Sequence, residues 1–285
     1  MHQVVFTSYG RHELRLLGVR RGAHAHAARD FRLTMTLEGD FAAAFADGDN
    51  GSILPTRSMT NTASALVHDH VDASVERLAL ALAERLLEAC PAASTAHVSI
   101  AEHPWIPLPG SHHSFATGPS DQWLADATAR RGRPATVVSG ISGLHRAVTT
   151  GSSFTGFLVD DYTLAPEVNA EDRVLRMSGD MRWEYSSPPA DYDQYRDKAL
   201  RAFVDSTADQ LSSSSQHSAY LSAAAVLDAC PLISQVSVHF THHAHAASAL
   251  RPFGRDGTDD GSGVWLGTDS SYGAGAVTVR RGAGG

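Results

Sequence analysis

Leu87-Glu88-Ala89-Cys90-Pro91-Ala92-Ala93-Ser94 returns as Leu227-Asp228-Ala229-Cys230-Pro231-Leu232-Ile233-Ser234, with Cys90 recurring as Cys230, 140 positions on in a chain of 285 residues. A self-match at about half the chain length is the mark of a tandem duplication. Each copy closes a helical pattern with a proline just beyond it, a stop signal. Each then leads into an alternating stretch, 96–100 and 236–240. The chain is therefore read as two copies of one unit, residues 1–138 and 139–285.

The two halves share an order of elements. In the first, 4–19 and 31–37 alternate as a β-hairpin would. A polar turn follows at 47–55, then a short helical stretch near 61–69. A long helix over 71–89 carries Val71, Val75, Leu78, Leu82 and Leu86 at helical spacing. Strands are expected at 96–105 and near 134–138, with a polar loop over 109–120 between them. The second half repeats this with strands at 146–159 and 173–185, helices at 192–211 and 216–229, and strands at 235–245 and 264–279. Two β-β-α-α-β-β units, each a four-stranded antiparallel sheet with two helices on one face, make an α+β protein. Such sheets have open edges that must be paired or covered, and assembly of several copies is one way to do so.

The charge balance of -8 gives no basic footprint for nucleic acid or an anionic membrane. No apolar run approaches 18 residues, so no membrane span is expected. The N-terminus carries no signal-peptide pattern and the C-terminus no peroxisomal address. Two cysteines, Cys90 and Cys230, make no disulfide framework and point to a reducing, cytoplasmic setting. Of 23 basic residues one, Lys198, is lysine, and the others are arginine.

Chemistry concentrates at 153–173, where Phe154 offers a ring for stacking and Arg173 a planar fork of donors. Phe154 and its neighbours are read as opening a strand, with a turn at Pro166 before the next. Ser153-Phe154-Thr155-Gly156-Phe157, Asp160-Asp161-Tyr162-Thr163 and Asp172-Arg173 resemble a signature of urate oxidases. Tyr9-Gly10-Arg11, Pro55-Thr56-Arg57-Ser58-Met59-Thr60-Asn61-Thr62, His103-Pro104-Trp105, His113-Ser114-Phe115 and Ser214-Ser215-Gln216 are similar to further elements of that family, in family order. The resemblance implies a tunnelling fold (T-fold) built from two such units. It implies a homo-oligomer, a tetramer, that closes a barrel with active sites between subunits. It implies a purine-like substrate stacked on Phe154 and held at its rim by Arg173 and Gln216, beside Ser215. It also implies oxidation by molecular oxygen with no metal or organic cofactor.

The reacting half of the family pattern is altered. The family lysine is Arg11, which cannot act as a proton acceptor. Thr56 is retained, and the aspartate beside it becomes Arg57. The family Pro-Asn-x-His element aligns with Thr241-His242-His243-Ala244, so that His242 replaces the asparagine and Ala244 the histidine; His243 or His245 could serve if the strand shifts. Catalytic roles are therefore expected of Arg11, Thr56, His242 and His245, and substrate contacts of Phe154, Arg173, Ser215, Gln216 and Arg57. Two other readings are a purine-binding homologue without turnover and an oxygenase for a different heterocycle. His239, His243 and His245 recur at period two and would share a strand face; without an accompanying Asp, Glu or Cys at ligand spacing, a polar strand face is the simpler reading than a metal.

Overall fold

The computed structural model describes residues 2–118, 121–163, 172–206, 208, 211–255, 263–267 and 273–282. The chain forms two compact units, residues 1–142 with 182–196, and 143–181 with 197–285.

In the first unit β1 (Ser8–Arg21) and β2 (His26–Gly39) form a long hairpin, followed by a short helix α1 (Ala42–Ala46), α2 (Thr56–Asp69) and α3 (Val75–Ala89). β3 (Ala93–His103) pairs with β2, and β6 (Gln122–Arg130) pairs with β3, all antiparallel. β4 (Trp105–Pro107) and β5 (Phe115–Thr117) make a separate small hairpin between β3 and β6. β7 (Arg133–Val148) pairs with β6 across a tight turn. Val75, Leu78, Ala79, Leu82, Ala83 and Leu86 form one face of α3, and all are fully buried. They meet Phe31, Leu33, Met35 and Leu37, which alternate along β2 and are also fully buried. Each buried leucine contributes about 1.5–3 kcal/mol. A strand side chain at every second position facing a helix stripe at every third or fourth is what the periodicities require.

The second unit runs from the end of β7 through most of β8 (Leu175–Tyr185), most of α4 (Tyr192–Asp205), α5 (Ser215–Ala229), β9 (Ile233–His243) and β12 (Gly273–Arg280). Its small hairpin joins β10 (His245–Ala247) to β11 (Trp265–Gly267). β9 pairs antiparallel with β12, and α5 packs on both. At Gly179 in β8 the His239 carbonyl leaves no space for a Cβ.

The repetition extends to individual hydrogen bonds. Ser74 caps α3 by accepting from the Arg77 amide at 3.3 Å, and Ser214 caps α5 by accepting from the His217 amide at 3.0 Å. At the other end of α3, Arg131 donates to the carbonyls of Leu87 and Cys90, both at 2.8 Å, and of Ala93 at 2.7 Å. Arg281 does the same for α5, donating to the carbonyls of Leu227, Cys230 and Ile233. The carbonyls of Leu87, Cys90, Leu227 and Cys230 lie at helix ends, where the helix supplies no amide to them, and Ala93 and Ile233 open the strands that follow.

Four expectations are corrected. No strand covers 149–159: β7 stops at Val148, and the segment beyond it is irregular, because Gly151 and Gly156 take φ of 75° and 72°, outside the extended region. β6 falls where no strand is expected; apart from Leu124 its buried positions are Ala125, Ala127 and Ala129, small residues with little strand preference. α3 begins at Val75 rather than Val71, since Ser74 is its cap. The final stretch 264–279 is divided into β11 and β12. The turn at Pro166 lies outside the described residues. Among the described residues no helix is long and apolar enough to cross a membrane.

Candidate active site

The second unit contains a pocket of about 380 Å³, lined by Phe154, Arg173, Ser215, Gln216, Phe240, His242, Ala244, His245 and Gly273 among others. The side chains arrive from several elements: the segment after β7, the approach to β8, the start of α5, the end of β9, the start of β10 and the start of β12. Gly156, at φ 72°, reverses the chain so that Phe157 stacks on Phe154, with ring centroids 5.1 Å apart and planes 11° apart. Arg173, two residues ahead of β8, lays its guanidinium carbon 5.3 Å from the Phe154 ring centroid. This cation–π contact fixes the guanidinium beside the ring. Its Nε donates to Ser152 Oγ at 3.3 Å, and among the described residues its two terminal nitrogens make no protein hydrogen bond. Partial burial pulls the guanidinium's pKa down, yet an arginine remains charged. Ser215 and Gln216 open α5, and Ser215 Oγ donates to Gln216 Oε1 at 3.2 Å.

Alternation along β9 sorts the histidines. Val236, Val238 and Phe240 are buried towards α5, and His242 continues that face into the pocket. His243 points the other way and bonds to Ser178 Oγ at 2.8 Å through Nε2. His245, at the start of β10, is 2.9 Å from the His243 carbonyl through Nδ1. A carbonyl can only accept, so Nδ1 carries the proton and a neutral His245 has its lone pair on Nε2. Burial lowers the pKa of His242, helped by Arg173 and then by His243 and His245. His242 is thus held neutral at pH 7. The aligned positions His242 and Ala244 both line the pocket, and His245 joins them without any shift of the strand. His239 and His243 do not line it, and among the described residues no group of three His, Cys, Asp or Glu is placed to hold a metal.

Arg11, Thr56 and Arg57 belong to the first unit and are exposed. Arg11 lies at a register shift in β1, and Thr56 and Arg57 begin α2. The Tyr9 hydroxyl ties these places together, accepting from the Leu54 amide at 2.7 Å and donating to the Leu54 carbonyl at 3.1 Å. Burial is the main cause that raises this phenol's pKa, to about 12.

The first unit has a recess of its own of about 380 Å³, where matching positions carry other chemistry. Glu102 is the tenth residue of β3, as His242 is of β9, and their cross-strand partners are Trp123 and Gly273. Arg29 in β2 makes a bidentate pair with Glu102, both contacts at 2.6 Å, and donates to the carbonyls of Val71 and Ala73. Its donors are turned inward, whereas those of Arg173 face the pocket.

A family model described as uricase matches residues 7–131 and 137–274. The chain belongs to the uricase family. That is a family of oxidoreductases of the urate oxidase type. Among curated uricases, the Arthrobacter globiformis protein is 29% identical over 277 residues, covering 96% of this chain and 88% of the relative. The Drosophila melanogaster uricase is 26% identical over 308 residues, covering 95% and 87%. The crystal structure of the Arthrobacter globiformis uricase superposes with a TM-score of 0.91 at 27% identity, covering 100% of this chain and 96% of that one. The two-unit α+β architecture is thus the T-fold of uricases.

Several further residues surround the pocket. Phe240, Gly273 and Ala274 complete its wall, and Ser152, Asp172 and Ser212 hold its edge. Asp172 carried a signal, being half of the Asp172-Arg173 pair; the serines carried none.

Proposed function

We propose that the chain oxidises urate, or a urate-like purine heterocycle, with molecular oxygen and without a metal or organic cofactor. The observation that supports this is the convergence of Phe154, Arg173 and Gln216 on one pocket with His242 and His245. A flat ring stacked on Phe154 would place its carbonyl and ring nitrogen against the terminal nitrogens of Arg173, which have no hydrogen-bond partner among the described residues. Gln216 offers an amide to the opposite edge. Oxidation of urate by oxygen and water forms one C–O bond on the ring and releases hydrogen peroxide, so two electrons pass from the ring to oxygen. The protein's part is to take a proton from the ring and return protons to the reduced oxygen. His245 Nε2 and neutral His242 are the acceptors present in the pocket. Arg11, Thr56 and Arg57 are assigned to the same reaction from a neighbouring copy in a homotetramer, Arg11 and Arg57 supplying positive charge to an anionic ring. Both cysteines are free and buried, in keeping with a reducing cytoplasm.

A second reading, a purine-binding member without turnover, is favoured by one observation: Arg11 stands where the family pattern has a lysine that can lose its proton. Aerobic incubation with urate, following ring absorbance and peroxide, separates the two. Loss of absorbance with one peroxide per ring supports oxidation, and urate that binds but persists eliminates it for that substrate. Arg11→Lys raises turnover if this position alone limits the rate; an unchanged rate means the chemistry has been rebuilt on the histidines.

A further inference from the structure

We infer that Asp172 is a positioning residue for the pocket, fastening the 151–153 strap so that the Phe154 ring lies against Arg173. The inference rests on the purine reading for its functional consequence, but its structural content stands alone. One carboxylate oxygen of Asp172 accepts from the Thr150 hydroxyl at 2.7 Å. The other accepts from the Gly151 amide at 2.8 Å and from the Arg173 amide at 3.0 Å. One side chain therefore holds both the strap that leads into Phe154 and the backbone that carries Arg173. These donors lower the carboxyl's pKa, so it is ionised throughout the neutral range.

The strap is held from its other side by Ser212. The Ser153 amide donates to the Ser212 carbonyl and the Ser212 amide to the Gly151 carbonyl, both at 2.8 Å. Ser212 Oγ donates to the Ser214 carbonyl at 2.7 Å, and Ser214 caps the helix that presents Gln216. Ser152 is fully buried between these anchors and receives Arg173 Nε. The three side chains proposed to grip the ring thus hang from one short connected strap. Asp172 is its exposed, charged end, and it lines no part of the pocket.

Two variants test this, Asp172→Ala and Asp172→Asn, with two readouts. Amide hydrogen exchange needs no ligand: protection at Gly151 and Ser153 should fall at least tenfold in Asp172→Ala and less in Asp172→Asn, which keeps one acceptor, while α3 is unchanged. In steady-state kinetics with urate, the alanine variant should raise KM about tenfold, the loss of about 1.4 kcal/mol of binding, with kcat within about twofold. Unchanged protection of Gly151 and Ser153 overturns the inference, whatever the enzyme does with urate. Loosened amides in a protein that never binds urate uphold the clamp and overturn the purine reading instead. If the alanine variant does not fold, loosening in Asp172→Asn confined to 150–154 supports the role, and uniform loosening across the second unit refutes it.

Discussion

Arg173 and Phe154 act as a pair, because the guanidinium that would grip a ring edge is itself aligned by the aromatic face. Arg173→Lys keeps the charge but loses the fork, and should raise KM for urate about 10–100-fold, as expected for charge-assisted hydrogen bonds of about 1.5–3 kcal/mol. Phe154→Ala should raise it about tenfold through lost stacking. Steady-state kinetics of both variants checks these values. The pKa of His242 is depressed by burial and by nearby positive charge, from Arg173 first and then from His243 and His245. A neutral form favoured in this way persists as pH falls below 6.5, the ordinary histidine value, so a rate that needs neutral His242 keeps its acid limb below that pH. Arg173→Gln removes a positive neighbour and should move the His242 titration to higher pH, as followed by NMR of its ring protons. Phe154, Arg173, Ser215, Gln216 and His242 each sit in a short motif, and all five line the one pocket. The outward turn of His243 was not legible in the sequence, since one step along a strand reverses the face and the motif alone does not show the register.

At the scale of elements, the arginine clamp at each helix end makes a prediction that is symmetric between the halves. Arg131→Ala leaves three carbonyls without a charged donor. It should cost about 2 kcal/mol and lower Tm by about 5 °C. Arg281→Ala should cost about as much, and hydrogen exchange should rise in the last turn of α3 or of α5 respectively. Glu76, 1% exposed at the start of α3, accepts from Ser139 Oγ at 2.7 Å, and burial raises its pKa. The folded state therefore holds this proton more tightly than the unfolded one, and stability is lost as pH rises from the unfolded pKa, near 4.5, through the folded one. Glu76→Gln should flatten that part of the pH–stability curve, as equilibrium denaturation would show. Elements with strong periodicity, α3 and β2 above all, were legible from spacing alone. β6 was hidden because alanines alternating with Asp126 and Thr128 carry little hydrophobic contrast. The strand expected at 146–159 stops at Val148 because two glycines bend a segment whose aromatic pattern otherwise reads as extended.

For the molecule as a whole, the duplication was visible in eight residues and reappears in caps, clamps and hairpins. We take residues 1–138 and 139–285 as the two copies. A reaction that joins the second unit's pocket to Arg11, Thr56 and Arg57 of another copy predicts complementation. Mixing inactive Arg11→Ala and Arg173→Ala proteins, dissociated and reassembled together, should regenerate sites with both residues intact and restore about a quarter of wild-type activity for random pairing. The proposal of assembly comes from family resemblance alone, because a single sequence shows that sheet edges exist but not what covers them.

The contrast between Arg29 and Arg173 bears on how the protein responds to heat. The first half neutralises its guanidinium internally, with Glu102. The second carries a cation whose terminal nitrogens find no carboxylate among the described residues. A planar anion held there under nitrogen, where no turnover can consume it, would protect that half against melting, by about 2.7 kcal/mol at a hundredfold excess over Kd. The same guest would reach the first half only through Arg11 and Arg57 of a neighbouring copy, so the larger share of its protection would fall on the half that encloses it.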